Sequence, residues 1–264
     1  MRRFLLSALL FLPLLACTPK QVPGPSDGAT GDAAAAWNAY SARTRTEEAT
    51  ARPFRLSASL RYTDNKGEST RVSSLFWGNG RTPYPLRLDL TAGVGTVVAK
   101  IRENNDNFTA YNPDEKTAYF HTRENRALSA FGVPIPLTLL DLSLILTGRG
   151  GTLFLPPVGE TPSAETGPGG YVFRIQNAPL AGLLELSPQG VPVSWRQGGW
   201  TLAFEPESDD PMRPHRVRIT NSKGQEALIV VRSLDFPPMP FAGAQLELPL
   251  PPGTQTKELP EQGL

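Results

Sequence analysis

From Phe54 onward the chain repeats one pattern: short stretches of alternating apolar and polar residues, separated by tight turns. Phe54, Leu56, Ala58, Leu60 and Tyr62 alternate with Arg55, Ser57, Ser59 and Arg61. Successive side chains of a strand point to opposite faces, so a period of two predicts a half-buried strand. Asn65-Lys66-Gly67 supplies its turn. Strands are predicted next at Val72–Trp77, Leu86–Leu90, Thr96–Ile101, Phe108–Tyr111 and Thr117–His121. Gly93-Val94-Gly95, Asn104-Asn105-Asp106 and Asn112-Pro113-Asp114 mark the turns between them. Connections this short join antiparallel neighbours. Further strands are predicted at Tyr171–Gln176, Gly182–Ser187, Pro192–Arg196, Trp200–Glu205, Arg216–Asn221 and Glu226–Asp235, which makes about eleven or twelve in all.

Few helices are available to cover so much sheet. Residues 33–51 lack Gly and Pro and carry Trp37 and Tyr40 on a sparse apolar face. Residues 123–147 interrupt the strand pattern. Val133-Pro134-Ile135-Pro136 cannot be helical throughout, so two short helices are expected around an extended hinge. Thr138-Leu139-Leu140-Asp141 has the spacing of a capping box, and Gly148 is a helix stop. The helix between them, 138–147, is apolar nearly all round and must be covered on more than one side. A mainly β fold with a few helices follows. Either the sheet curls until its own side chains fill it, or it stays an incomplete barrel whose hollow is roofed by 123–147. Residues 150–170 read as a Gly/Pro-rich loop, and Leu246, Leu248 and Leu250 as a possible edge strand in a Pro-rich stretch. The tail 254–264 reads as disordered.

The N-terminus carries a different signal. Arg2 and Arg3 precede an apolar run from Phe4 to Ala16. As a helix it would reach roughly 20 Å, short of a ~30 Å hydrocarbon core, so a secretory signal is expected rather than a membrane span. Leu14-Leu15-Ala16-Cys17 resembles the bacterial lipobox. That resemblance implies cleavage after residue 16 and lipidation of Cys17, the single cysteine, which excludes an internal disulfide. Residues 17–32 then form a flexible tether and 33–253 a single domain. Removing residues 1–16 leaves 24 Lys+Arg against 25 Asp+Glu, so no basic field invites nucleic acid. Thr18, not Asp, follows the cysteine, which favours the outer membrane.

Four segments, spanning about 54–236, carry a family resemblance. Phe54–Tyr62 with Arg71–Trp77 is similar to a first hairpin. Leu86–Thr96 is similar to a leucine-rich strand with a protruding turn. Ala130–Leu137 with the apolar helix after it is similar to a lid. Gly199-Trp200 through Phe236 is similar to closing strands. In this order they resemble the LolA/LolB superfamily of periplasmic lipoprotein carriers, and most of all its outer-membrane receptor LolB. The resemblance implies an incomplete antiparallel β-barrel with a helical lid over a hydrophobic cavity. It further implies acyl-chain cargo, handed over by a soluble periplasmic LolA-like carrier to a monomer lipid-anchored at the outer membrane and facing the periplasm. The apolar turn that helps release cargo into the membrane corresponds to Gly93, Val94 and Gly95. A plain hairpin turn with one apolar residue fits the same three positions.

Candidate cavity residues are the in-facing Leu56, Leu60, Phe76, Leu88, Phe120, Phe173, Trp200 and Phe204. Candidate lid residues are Phe131, Ile135, Leu139, Leu142 and Ile145. Each would serve equally well as plain core. An acyl chain is held by area, at ~25 cal/mol per Å², so no polar anchor is required. Enzyme function is not expected: His121 and His215 lack metal-ligand spacing, no nucleophile-elbow or zinc-protease motif occurs, and no cofactor is implied. A second possibility is an assembly lipoprotein that grips an envelope partner through a sheet edge or its Pro-rich tail.

Overall fold

A computed structural model describes residues 33–48, 52–80, 85–104, 107–121, 128, 131 and 135–259. Cys17, the signal and the tether lie outside the described residues, as does most of the expected first lid helix. Gly31–Leu264 forms one compact unit with its own core.

The strands make one open sheet. Helix α1 (Ala33–Glu48) precedes β1 (Phe54–Thr63), β2 (Ser69–Gly78), β3 (Leu86–Ala92), β4 (Thr96–Glu103), β5 (Phe108–Asn112) and β6 (Thr117–His121). Helix α2 (Leu139–Leu146) and a 3₁₀ turn (Gly150–Phe154) follow. Then come β7 (Ser163–Gly167), β8 (Gly170–Ile175), β9 (Gly182–Leu186), β10 (Pro192–Gln197), β11 (Trp200–Pro206), β12 (Pro214–Asn221) and β13 (Glu226–Asp235). A helical turn, Gly243–Leu246, and β14 (Gln255–Glu258) end the chain. The order is β14-β6-β5-β4-β3-β2-β1-β13-β12-β11-β10-β9-β8-β7, which makes fourteen strands rather than about eleven or twelve. Every pairing is antiparallel except β14 with β6. The two end strands do not pair, so the barrel is incomplete, as expected.

Three expectations need correcting. Residues 150–170 are not all loop: they hold the 3₁₀ turn and β7. The 246–250 stretch forms no strand, because the Pro-rich segment is held by side chains instead. Asn79 exchanges two hydrogen bonds with the Phe241 main chain, at 2.7 and 3.1 Å. Trp77 Nε1 donates to the Gln245 carbonyl at 3.1 Å, and Arg102 meets Glu247 at 3.1 Å. Proline lacks the N–H a ladder needs, so side-chain donors from the sheet do the fastening. The tail after 254 is not disordered throughout, since Gln255–Glu258 pairs with β6 and Leu259 is buried.

The core lies on the concave face. Helix α1 covers the β8–β10 part of it. Trp37 packs on Phe173 with ring centroids 5.2 Å apart, and Tyr40 Oη donates to the Gly151 carbonyl at 2.7 Å. Helix α2 enters the hollow and buries Leu139, Leu142, Ile145 and Leu146. Its start is the expected capping box. Thr138 Oγ1 accepts the Asp141 N–H at 3.0 Å, and Asp141 Oδ2 accepts the Thr138 N–H at 3.0 Å. Gly148, at φ +83°, ends it, and the Arg149 N–H reaches back to the Leu144 carbonyl at 2.7 Å. A second carboxylate meets the same helix start: buried Glu103, on β4, accepts the N–H groups of Leu139 and Leu140, both at 3.1 Å. Negative charge there also favours the helix dipole.

Glu103→Ala strands two helix-start donors in the interior. Urea unfolding should show a loss of about 1–3 kcal/mol. Burial raises the Asp141 carboxyl above its ordinary value, and its bonds to Thr138 offset this only in part. A carboxyl raised in this way holds its proton longer in the folded chain than in the unfolded one. Its contribution to stability is therefore lost as pH rises from the ordinary value through the raised one. Asp141→Asn, measured against the parent by urea unfolding across that range, should gain relative stability as pH rises. A pH-independent difference between the two would contradict this.

Candidate functional site

The inner faces of β1, β2, β3 and β13 and the lid segments enclose a groove. Leu56 and Leu60 come from β1, Ser74 and Phe76 from β2, Leu88 and Leu90 from β3, and Ile229 from β13. Leu128, Ile135, Leu142 and Leu146 form the roof. Register explains the convergence. Leu56 faces Phe76, Phe76 faces Leu88, Ser74 faces Leu90, and Leu60 faces Ile229. Ser74 is the one polar member, and its Oγ donates to the Ala58 carbonyl at 3.2 Å. A ligand here would be held by apolar contact alone.

The groove holds about 500 Å³ of empty space counting its open mouth. The four roof residues project into the hollow from above. The roof is fastened at its sheet end by Glu103, while residues 132–134, between Phe131 and Ile135, lie outside the described residues.

The sequence-derived residues fall into several places. Leu56, Leu60, Phe76, Leu88, Ile135 and Leu142 meet in the groove. Phe173 is buried against Trp37, away from it. Ile145 and Phe204 line a second apolar pocket of about 370 Å³ with Phe154, Pro192 and Met212, on another side of α2. Trp200 is half-buried at the edge of the core, and Leu139 is wholly buried. Phe131 packs on Tyr119 and Phe108, with centroids 5.8 and 6.5 Å away. Phe120 is misplaced: it is exposed and pairs with Thr109, whereas its neighbour Tyr119 pairs with buried Ala110 and faces inward. Leu90, Ile229, Leu128 and Leu146 belong to the groove and were not singled out. The same period-two and lid patterns contained them.

Gly93 and Gly95, at φ +53° and +85°, form the β3–β4 turn. A Cβ on either would meet nothing within 4 Å, so the turn needs their backbone freedom and not their small size. Val94 between them is fully exposed. Among the described residues no cluster of His, Cys, Asp and Glu could hold a metal, and no helix is long and apolar enough to cross a membrane.

No protein-family profile matches the chain, and no curated protein does. Solved structures do resemble it. A DUF1329 family protein of Desulfovibrio piger is 13% identical, with a TM-score of 0.51 over 81% of this chain and 96% of that one. A LolA superfamily protein of Nitrosomonas europaea is 10% identical, with a TM-score of 0.49 over 72% of this chain and 89% of the other. A Vibrio parahaemolyticus domain named for outer membrane lipoprotein sorting is 11% identical, with a TM-score of 0.48 over 78% and 94%. What the chain shares at this distance is a fold, the open sheet with helices in its hollow.

Proposed function

We propose that this protein binds acyl chains in the groove beneath α2. We propose further that it acts as a receptor, anchored through Cys17 at the periplasmic face of the outer membrane. It would accept lipoproteins from a soluble carrier and release them into the membrane at the Val94 turn. The groove carries this reading: ten of its eleven lining residues are apolar, and its one hydroxyl is already bonded. Supporting it are the lipobox-like Leu14–Cys17 and the ordered likeness of four segments to the LolA/LolB superfamily. The roof plugs the groove with its own leucines, so cargo and roof compete for one apolar surface. The alternative of a partner gripped by the Pro-rich tail is less well supported, because that tail is bonded along its length to the chain's own sheet.

Native mass spectrometry of a chain beginning at Gly31 should reveal bound fatty acid or phospholipid, and the same chain should take up an apolar fluorescent dye. Absence of both would end the reading. Leu60→Trp at the half-buried mouth should displace about 60 Å² of ligand contact. At ~25 cal/mol per Å² this weakens dye uptake by about tenfold. Val94→Glu should abolish delivery of a lipoprotein to vesicles yet leave dye uptake intact. Normal delivery by that variant would remove the turn from the mechanism.

A further inference from the structure

The Gly93–Gly95 turn does not stand alone at its end of the sheet. The antiparallel register brings four other turns to the same end: 64–68 between β1 and β2, 113–116 between β5 and β6, 222–225 between β12 and β13, and 198–199 between β10 and β11. Cations gather there on the convex face. Arg218 lies opposite Leu228, Leu228 opposite Arg61, and Arg61 opposite Arg71. Ser73 pairs with Thr91, so continuing that register by two residues sets Arg71 level with Gly93. One cross-strand row of three arginines thus runs straight to the Val94 tip. Strands lie about 4.8 Å apart, which puts Arg71 one strand from the tip and Arg61 two.

Like charges facing each other across a strand pair cost stability unless an anion lies between them. The chain shows this at a second arginine pair. Arg87 and Arg102 also face each other; Asp89 and the Glu247 carbonyl hold Arg87, and the Glu247 carboxylate holds Arg102. Arg61 and Arg218 share Glu226, at 3.8 and 2.7 Å. Arg71 has no carboxylate partner among the described residues, and the exposed Lys66 and Lys223 extend the charge along the turns. The carboxylates at this end are Asp64, Glu68 and Glu226, with Asp114 and Glu115 farther along in the β5–β6 turn; Asp64 is turned onto the N–H groups of Lys66 and Glu68, and Glu115 accepts from the Tyr119 hydroxyl. At the opposite end the carboxylates of Glu205 and Asp209 are paired, with Arg216 at 2.8 Å and Arg213 at 3.1 Å.

We infer that Arg71, Arg61 and Lys66 form a docking rim for the phosphates of an anionic phospholipid surface, aligning the sheet so that Val94 meets the acyl boundary. A single valine buries little apolar area, and membrane affinity grows when basic residues are added at the headgroup level. The inference rests on the proposal that the Val94 turn meets a membrane, and it names the lipid chemistry that turn meets.

Flotation with vesicles tests it, using the chain from Gly31, which has no lipid anchor of its own. The parent should float with phosphatidylethanolamine vesicles containing phosphatidylglycerol, float poorly with phosphatidylcholine, and be released by salt. Arg61→Glu with Arg71→Glu should weaken partition to the anionic vesicles by about tenfold or more. Arg61→Lys with Arg71→Lys should retain it, which separates lost charge from lost fold. Dye uptake should be unchanged in both variants, since neither arginine touches the groove. Equal flotation of the Glu variant and the parent would overturn the rim, as would parent binding that ignores lipid charge and salt. Binding only to an acidic protein segment, with no vesicle binding, would overturn it in favour of a protein partner. Vesicle binding that behaves as expected, with no dye uptake at all, would refute the groove reading and leave the rim standing.

Discussion

An open sheet with one apolar face must be covered, and this constraint organises the molecule. Fourteen strands curl far enough to create an inside but do not close on themselves. Side chains from both walls of a small closed barrel would meet and fill it. Here the walls stay apart, and an eight-residue helix, α2, is drawn into the space. Its apolar character all round follows from that position, with sheet on one side and the 3₁₀ turn and Met212 on others. A helix that fills a hollow can also leave it.

Polar chemistry decides how firmly the plug sits. The start of α2 is satisfied twice, locally by the Thr138–Asp141 box and at long range by Glu103. The local box travels with the helix. The Glu103 bonds do not, since they tie the helix start to β4. Lifting α2 therefore breaks charge-assisted hydrogen bonds at one point and apolar contacts along the rest of its length.

Much of this was legible in the sequence because it is local. The capping box, the Gly148 stop and the alternation of β1 are written in neighbouring residues, and each forms as read. Signals that depend on pairing were less clear. Ala118, Tyr119 and Phe120 are consecutive apolar residues, so period two cannot say which faces inward. The pairing of Tyr119 with Ala110 decides it, and Phe120 is exposed. β7 and β14 read Ser-Ala-Glu-Thr-Gly and Gln-Thr-Lys-Glu, with almost no apolar residue to betray a strand. They exist because a neighbouring strand offers its ladder. The Pro-rich strap was invisible for a related reason: its order comes from Trp77, Asn79 and Arg102, far away in the sequence.

The parallel pairing of β14 with β6 has a consequence for the company the protein keeps. An uncovered margin of a sheet offers a row of free N–H and C=O groups, a template on which another chain can add a strand. Exposed Phe120 would make that template sticky. Four polar residues occupy it, and Leu259 tucks in behind them. This polar segment thus covers the β6 flank of the sheet and keeps its ladder from being offered to another chain.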